Sequence, residues 1–404
     1  MDSQKIRDLE ITAARVRILG LDAINSAASG HVGGAFSIAD ILTVLYFNTM
    51  KNLDPANPRA PERDRFVLSK GHCTAARNSS RISMSWRESD MNELRDANRA
   101  YGEKLAELGA ELPELVVLDA DLAACSKTAP FIERFPGRHY NVGIQECNMV
   151  GVAAGMAACG KIPFVNSFGM FTAGRAYDQI RNAVVYPGLN VKVVGFYSGL
   201  SNGEDGPTHQ CVEDLALMRA VPNMVVMCPC DANEAALMTE AAAKHSGPCF
   251  IRMGRGPVET VTEFEGYKFE IGKGVVMRPG RDAAIIATGN MVATALKAAA
   301  LLDAEGLYVR VIDMHTIKPI DRRLVLEAAR ETGAIVTSEE HNVLGGLGGA
   351  VAEVVGEEYP VPVLRHGMRD CFGKSGKHDD VLALFGLTET VLADTVRRAV
   401  ALKK

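Results

Sequence analysis

The chain has 404 residues, 47% hydrophobic and 23% charged, with a formal net charge of −5, the balance of an ordinary soluble protein with room for two or three domains. Acidic and basic side chains are interspersed, which excludes the long positive face that a nucleic-acid backbone requires. No apolar run approaches the roughly 20 residues that span a bilayer, and the charged start MDSQKIRDLE is unlike a signal peptide, so no membrane partner is expected and the expected compartment is the cytoplasm.

In chain order, Ile6, Leu9, Ala13, Val16 and Ala23 fall near helical spacing ahead of Gly30, which predicts an amphipathic helix over 4–28. A second apolar helix, about 38–50, runs into the turn-rich LDPANPRAPERD, and FVLSKGH reads as a short buried strand entering a loop. The polar stretch RNSSRISMS then breaks the pattern as a junction before a helix over 88–108. LVVLDAD, the apolar helix of MVGVAAGMAA, IPFVNSF, a helix near 177–185, VKVVGFY, and MVVMCP with the helix NEAALMTEAAAKH follow. Strands alternating with helices predict a parallel sheet covered on both faces. Beyond the charged stretch TEFEGYKFEIGKG comes a second βαβα series: AAIIATG, ATALKAAALLDAEG, VRVIDM, a helix from Arg322, AIVTSEE, a helix from Gly349, and VPVLRHG. The fold class is therefore α/β, with expected segments 1–83, 84–258 and 259–404.

Nine cysteines are scattered at 73, 125, 147, 159, 211, 228, 230, 249 and 371 without a C-x-x-C pair, and they read as reduced, mostly buried thiols. Cys228 and Cys230 could share one strand face as metal ligands, but no second Cys or His pair stands near in sequence, so no metal site is assigned.

Several residues could carry chemistry. Glu146, in NVGIQECN, stands where a short strand turns into an apolar helix, a position where the helix dipole alone favours a carboxylate. Phe168 and Phe171, in NSFGMF after a strand, could form a flat slot, although aromatic pairs commonly just fill core. The loop SNGEDGPTHQ follows the strand ending at Tyr197, which puts Asp205 and His209 at the carboxyl end of a parallel sheet, where ligands gather. G-E-D-G is also good turn chemistry, but the hydroxyl, imidazole and amide of T-H-Q suit a polyhydroxylated substrate. His31 in SGHVGG and His72 in SKGHC lie in small-residue loops that let a backbone approach a ligand closely.

Taken together, these motifs resemble the transketolase family, particularly its small and split-gene members. The resemblance runs through SGHVGGAFSIADILTVLYF, DRFVLSKGH, NVGIQECNMVGVAAGMA, NGEDGPTHQ, VRVIDMHTIKPID and SEEHNVLGGLGGA. It implies the doubly wound thiamine-diphosphate-binding fold followed by the family's C-terminal α/β domain. It also implies transfer of a two-carbon ketol unit between sugars or sugar phosphates, as in the pentose phosphate pathway. In the family the Glu matching Glu146 hydrogen-bonds the pyrimidine of thiamine diphosphate. That role calls for a carboxyl whose proton affinity is raised by an apolar pocket, here expected from Phe168 and Phe171, with Phe171 stacking on the pyrimidine. Asp205 and His209 match residues that contact a ketose donor's oxygens, and His31 and His72 match imidazoles lining the donor channel and the cofactor's reactive end. Arg252 or Arg255, in CFIRMGRG, matches the arginine that pairs a sugar phosphate, and the sequence does not choose between them.

Three departures from the family's pattern stand out. Cys147 replaces a Gln, and Tyr197 replaces a His near the sugar phosphate. The third is larger: the Gly-Asp-Gly that holds a divalent cation, Mg or Ca, on the cofactor's diphosphate does not occur in this sequence. The N-terminal segment thus reads as a truncated remnant of a diphosphate-binding domain, too small to cover its own apolar faces. Weakened cofactor binding and a homodimer that covers the remnant are expected. A catalytically silent homologue, acting as a dimerisation or regulatory partner, is the competing reading. A subunit that needs a second polypeptide is a third, against which SGHVGG and SKGH count.

Overall fold

The computed structural model describes residues 4–11, 13–14, 44 and 94–403. The chain divides into two units, Met1–Ser89 and Asp90–Lys404. In the first, residues 4–11 are helical, as the spacing of Ile6 and Leu9 predicts. Of the expected second helix only Val44 is described, and it is helical; the FVLSKGH strand, the RNSSRISMS junction, His31 and His72 lie outside the described residues.

Within the second unit the strands are, in chain order, β1 (Leu94–Asp96), β2 (Leu115–Asp119), β3 (His139–Asn141), β4 (Ile162–Phe168), β5 (Lys192–Phe196), β6 (Val225–Met227) and β7 (Cys249–Arg252). They continue as β8 (Pro257–Glu259), β9 (Val275–Arg278), β10 (Ala283–Ala287), β11 (Val309–Asp313), β12 (Thr316–Lys318), β13 (Ile335–Asn342) and β14 (Val363–Met368). One sheet has seven strands in the order β12-β6-β7-β5-β4-β2-β3, and a second has five in the order β14-β13-β10-β11-β9. All neighbours are parallel except β12 on β6 and β9 on β11. β1 and β8 form a separate antiparallel pair.

The central strands β2 (LVVLD) and β5 (KVVGF) are buried at every position, which is why they read as apolar runs with a single charge at one end. Lys192, the one charge in β5, is sealed in, and its ammonium donates to Asn190 Oδ1 at 2.6 Å and to the carbonyls of His245 and Gly247 at 2.7 Å each. Apolar residues of both sheets share one core, in which Val116, Leu118, Met149 and Val165 join Ile286, Ile312, Ile335 and Val351. Among the described residues no helix is long and apolar enough to cross a membrane.

The helix expected over 88–108 begins at Ala97 and runs to Glu111, because Asp96 caps it: its carboxylate accepts from the Asn98 N–H at 3.0 Å. The helix expected near 177–185 starts earlier, with winding from Met170 through Val185 that includes two stretches of wider i→i+5 turns, 170–175 and 180–185. The early start follows from Gly169. A Cβ there would meet Ser198 Oγ at 2.0 Å, so only glycine lets the chain turn out of β4 this close to the loop after β5.

Candidate functional site

Because β3, β4, β5 and β7 run parallel within one sheet, the loops leaving their carboxyl ends emerge along a common edge. Glu146 follows β3 at the first turn of the helix Glu146–Ala158. Phe168 closes β4, Tyr197 follows β5, and Arg255 follows β7. The loop after β5 is held in shape by Asn202, whose Nδ2 donates to the carbonyls of Tyr197 at 2.8 Å and His209 at 2.7 Å. Gly203 and Gly206 take positive φ in that loop, so G-E-D-G does form a turn, and the turn carries Asp205 and His209 back toward the aromatic residues.

Those aromatic residues make one continuous cluster. Phe168 stacks on Tyr197 with ring centroids 5.0 Å apart and lies 6.1 Å from Phe171. His209 meets Phe171 edge-on at 5.2 Å and Phe168 at 6.1 Å. The Arg255 guanidinium covers the Tyr197 ring at 5.0 Å and donates to Asp205 Oδ2 at 3.2 Å and to the Asn202 carbonyl at 3.1 Å. Burial, and then the neighbouring Cys125 thiol, push the Tyr197 hydroxyl above its ordinary range, so it is a neutral group at physiological pH. Phe168, Phe171, Tyr197, Asp205, His209 and Arg255 are thereby brought together, and the carboxyl edge of the sheet is where they meet.

Glu146 is dry, as the sequence predicts, with 1% of its surface exposed. Its immediate partners are polar, however. Ser167 Oγ donates to Oε1 at 3.1 Å, and Arg175 Nη1 donates to Oε2 at 2.7 Å. The same Arg175 lies over the Phe171 ring at 4.3 Å, linking the carboxylate to the aromatic cluster through one guanidinium. The apolar-pocket expectation is therefore incomplete: burial is present, but a cation accompanies it. Cys147, the residue after Glu146, donates its thiol to the Arg175 carbonyl at 3.4 Å.

The two candidate phosphate arginines differ sharply in setting. Arg252, at the end of β7, is 3% exposed; its Nε donates to both Asp214 oxygens at 3.1 and 3.0 Å, and its Nη2 to the Glu340 carbonyl at 2.7 Å. Burial opposes its charge, but the Asp214 carboxylate prevails and holds it fully cationic. Arg255 is half-exposed and reaches the aromatic cluster. Sequence reasoning missed Arg175 and Ser167. The detectable signal was the four-residue step from Phe171 to Arg175, which in a helical stretch puts a guanidinium over a ring.

Comparison with known proteins agrees with this layout. Residues 95–260 match the transketolase pyrimidine binding domain, residues 272–391 the transketolase C-terminal domain, and residues 9–107 the transketolase thiamine diphosphate binding domain. A Methanocaldococcus jannaschii protein, provisionally named a transketolase C-terminal section, is 45% identical over 300 residues, covering 74% of this chain and 94% of that protein. The 6-deoxy-6-sulfo-D-fructose transketolase subunit SqwH of a Clostridium species is 44% identical over 295 residues, 73% of this chain and 90% of its own. A solved structure described as a split-gene transketolase, an inactive beta4 tetramer, superimposes with a TM-score of 0.70 at 48% identity, covering 76% of this chain and 99% of that one. With identity at this level over nearly the whole of each relative, and a buried helix-start glutamate beside an aromatic cluster, the chain belongs to the transketolase family.

Proposed function

We propose that the chain transfers a two-carbon ketol unit between sugars or sugar phosphates with thiamine diphosphate as cofactor. The observation that carries this reading is Glu146, a sealed carboxylate at a helix start, joined through Arg175 to the Phe168–Phe171–Tyr197–His209 cluster. That pairing of a buried acceptor with flat ring faces fits the pyrimidine half of the cofactor. When bound, thiamine diphosphate supplies a nucleophilic carbon that carries the two-carbon unit.

In this reading Glu146 holds a pyrimidine nitrogen and keeps a proton shared at that atom, which requires Arg175 to yield or share Oε2. Phe171 offers the stacking face. His209 and Asp205 orient the donor's oxygens, while His31 and His72 are assigned to the donor channel and the cofactor's reactive end. Arg255 is assigned the sugar phosphate, because Arg252 spends its donors inside the protein on Asp214 and Glu340. With no Gly-Asp-Gly in the sequence, the diphosphate and its Mg or Ca ion lose their family anchor, which supports weakened cofactor binding. The same absence supports a second reading, a catalytically silent homologue acting as a dimerisation or regulatory partner; the solved relative described as an inactive tetramer points the same way. On the first reading the chain is a cytoplasmic homodimer, and light scattering should give about twice 43.4 kDa.

The test is a calorimetric titration with thiamine diphosphate, with and without magnesium, followed by a ketol-transfer assay on the same sample. Expected are weak binding, little magnesium dependence, and turnover that Glu146→Ala abolishes. Arg255→Met should raise KM for a phosphorylated donor and leave an unphosphorylated one unchanged. Turnover that survives Glu146→Ala refutes the mechanism, and a wild-type chain with neither binding nor turnover belongs to the second reading.

A further inference from the structure

Away from this edge, where the two sheets meet, three side chains from distant parts of the chain converge. Cys230 follows β6, Glu234 stands in the first turn of the helix Ala232–Lys244, and Asp313 ends β11. Their ligand atoms, the Cys230 sulfur and one oxygen from each carboxylate, all lie within 4.8 Å of one another, and all three residues are buried. Cys230 Sγ is 3.6 Å from Asp313 Oδ2. Tetrahedral zinc, with a thiolate at about 2.3 Å and a carboxylate oxygen at about 2.0 Å, would set those two atoms about 3.5 Å apart.

The electrostatics of the cluster are unresolved without a cation. Glu234 accepts the Cys230 N–H at 2.7 Å and the Tyr267 hydroxyl, both neutral donors. Asp313 Oδ1 is buried with no hydrogen-bond partner. The neighbouring Asp231 is satisfied by neutral donors alone, the N–H groups of Glu234, Val261 and Thr262 and the Thr262 hydroxyl. Two other sealed acids, Asp214 and Glu146, are paired with Arg252 and Arg175; among the described residues no arginine or lysine plays that part for Glu234 and Asp313, and burial lowers the proton affinity of His315, the imidazole that faces Glu234. A buried carboxylate without a counter-charge is strongly unfavourable, so the pair Glu234 and Asp313 must take up either a proton or a metal ion.

We propose that Cys230, Glu234 and Asp313 form a buried site for a thiophilic divalent cation, zinc by the chemistry of its donors, which ties the two sheets together. One sulfur and two carboxylate oxygens suit zinc; magnesium and calcium take oxygen ligands and leave a thiol alone. On binding, the Cys230 thiol and the Glu234–Asp313 pair release their protons to solvent, the sulfur and one oxygen of each carboxylate bond the metal, and a water completes four ligands. The site is separate from the ion expected on the cofactor's diphosphate and does not depend on catalysis. Cys228, the other cysteine of this stretch, takes no part, since its sulfur lies 4.0 Å from Arg252 Nη1.

The test uses the full-length chain, stripped with a chelator and reloaded with zinc or cobalt(II). Elemental analysis should find one tightly held equivalent. The cobalt form should show a thiolate-to-cobalt charge-transfer band and the visible bands of a tetrahedral ion. Cys230→Ser and Asp313→Asn should each weaken binding at least tenfold and remove the metal-dependent rise in melting temperature, whereas Cys371→Ser, at an exposed thiol, should change neither. A wild-type chain that holds no stoichiometric metal overturns the proposal and assigns a shared proton to the two carboxyls; a charge-transfer band that persists in Cys230→Ser overturns it as well. Should those variants fail to fold, X-ray absorption of the zinc-loaded wild type decides. One sulfur among oxygen neighbours supports the site, and a shell without sulfur or with several sulfurs overturns it.

Discussion

Asp214→Ala removes the counter-charge from an arginine that bridges the two sheets. Arg252 leaves β7 of the seven-stranded sheet and donates to the Glu340 carbonyl in β13 of the five-stranded one, while Asp214 accepts its Nε with both oxygens. The exposures are 3% for Arg252 and 0% for Asp214, so solvent cannot replace the lost partner. Stranding one member of such a pair costs about 3–5 kcal/mol, and the little volume deleted with the carboxylate adds less than that. Urea unfolding followed by circular dichroism, with a slope of about 3 kcal/mol/M, should move the midpoint down by about 1–2 M. Arg252→Met strands Asp214 in turn and should cost a similar amount. Combining Arg252→Met with Asp214→Ala removes both charges, and its loss should fall short of the summed single losses by about 3 kcal/mol. A loss under about 1 kcal/mol for Asp214→Ala, or simple additivity in the double variant, would refute a structural role for this pair and reopen Arg252 as a ligand-binding group.

Arg175→Met deletes the 2.7 Å pair to Glu146; because the Arg175 side chain is 41% exposed, screening limits the cost to about 1–2 kcal/mol, measurable as a drop in Tm with partial recovery in Arg175→Lys. Gly102→Ala should destabilise despite the usual gain of about 1 kcal/mol for alanine in a helix, since its Cβ would sit 1.8 Å from the Lys127 carbonyl oxygen; a variant as stable as the wild type would show that the segment around Lys127 yields freely. Burial lowers the proton affinity of His366, whose ring nitrogens meet Ser338 Oγ at 3.0 Å and the Gly386 carbonyl at 2.8 Å. The unfolded chain therefore binds the extra proton first, so stability is fully present above the unfolded value of about 6.5 and declines as pH falls from there toward the folded value. Unfolding measured at descending pH should show that slope, and His366→Asn should flatten it.

The long central elements were legible because their burial is written in consecutive residues. AAIIA is apolar throughout, and LVVLD and KVVGF are apolar but for Asp119 and Lys192 at their ends, since each strand is covered on both faces. The short strands β1, β7, β8, β9 and β12 were not. Each has three or four residues, below the length at which alternation can be recognised, and their pairing is decided by partners far away in sequence. At the site, Glu146, Phe168, Phe171, Asp205 and His209 were visible because each sits in a motif at the end of a strand. Arg175 was invisible as a partner of Glu146, since an arginine within a helix reads as solvated surface until the fold brings it to a buried acid. CFIRMGRG gave no means of separating Arg252 from Arg255, which differ only in what the rest of the chain places beside them. Cys230 and Asp313 stand 83 residues apart, so Cys230 could be weighed as a ligand only beside Cys228.

β12 is donated by the C-terminal part of the chain to the outer flank of the sheet that carries Glu146, where Thr316 and Lys318 pair with Met227 and Val226. A truncation that stops in the stretch between the sheets, near residue 260, strips that cover and leaves β6 as a bare hydrogen-bonding border, an invitation to self-association. The nominal pyrimidine-binding piece is consequently not a portable module. Expressed alone it should precipitate or form strand-swapped multimers, and any division of the coding sequence into separate polypeptides must keep 94–403 on a single product.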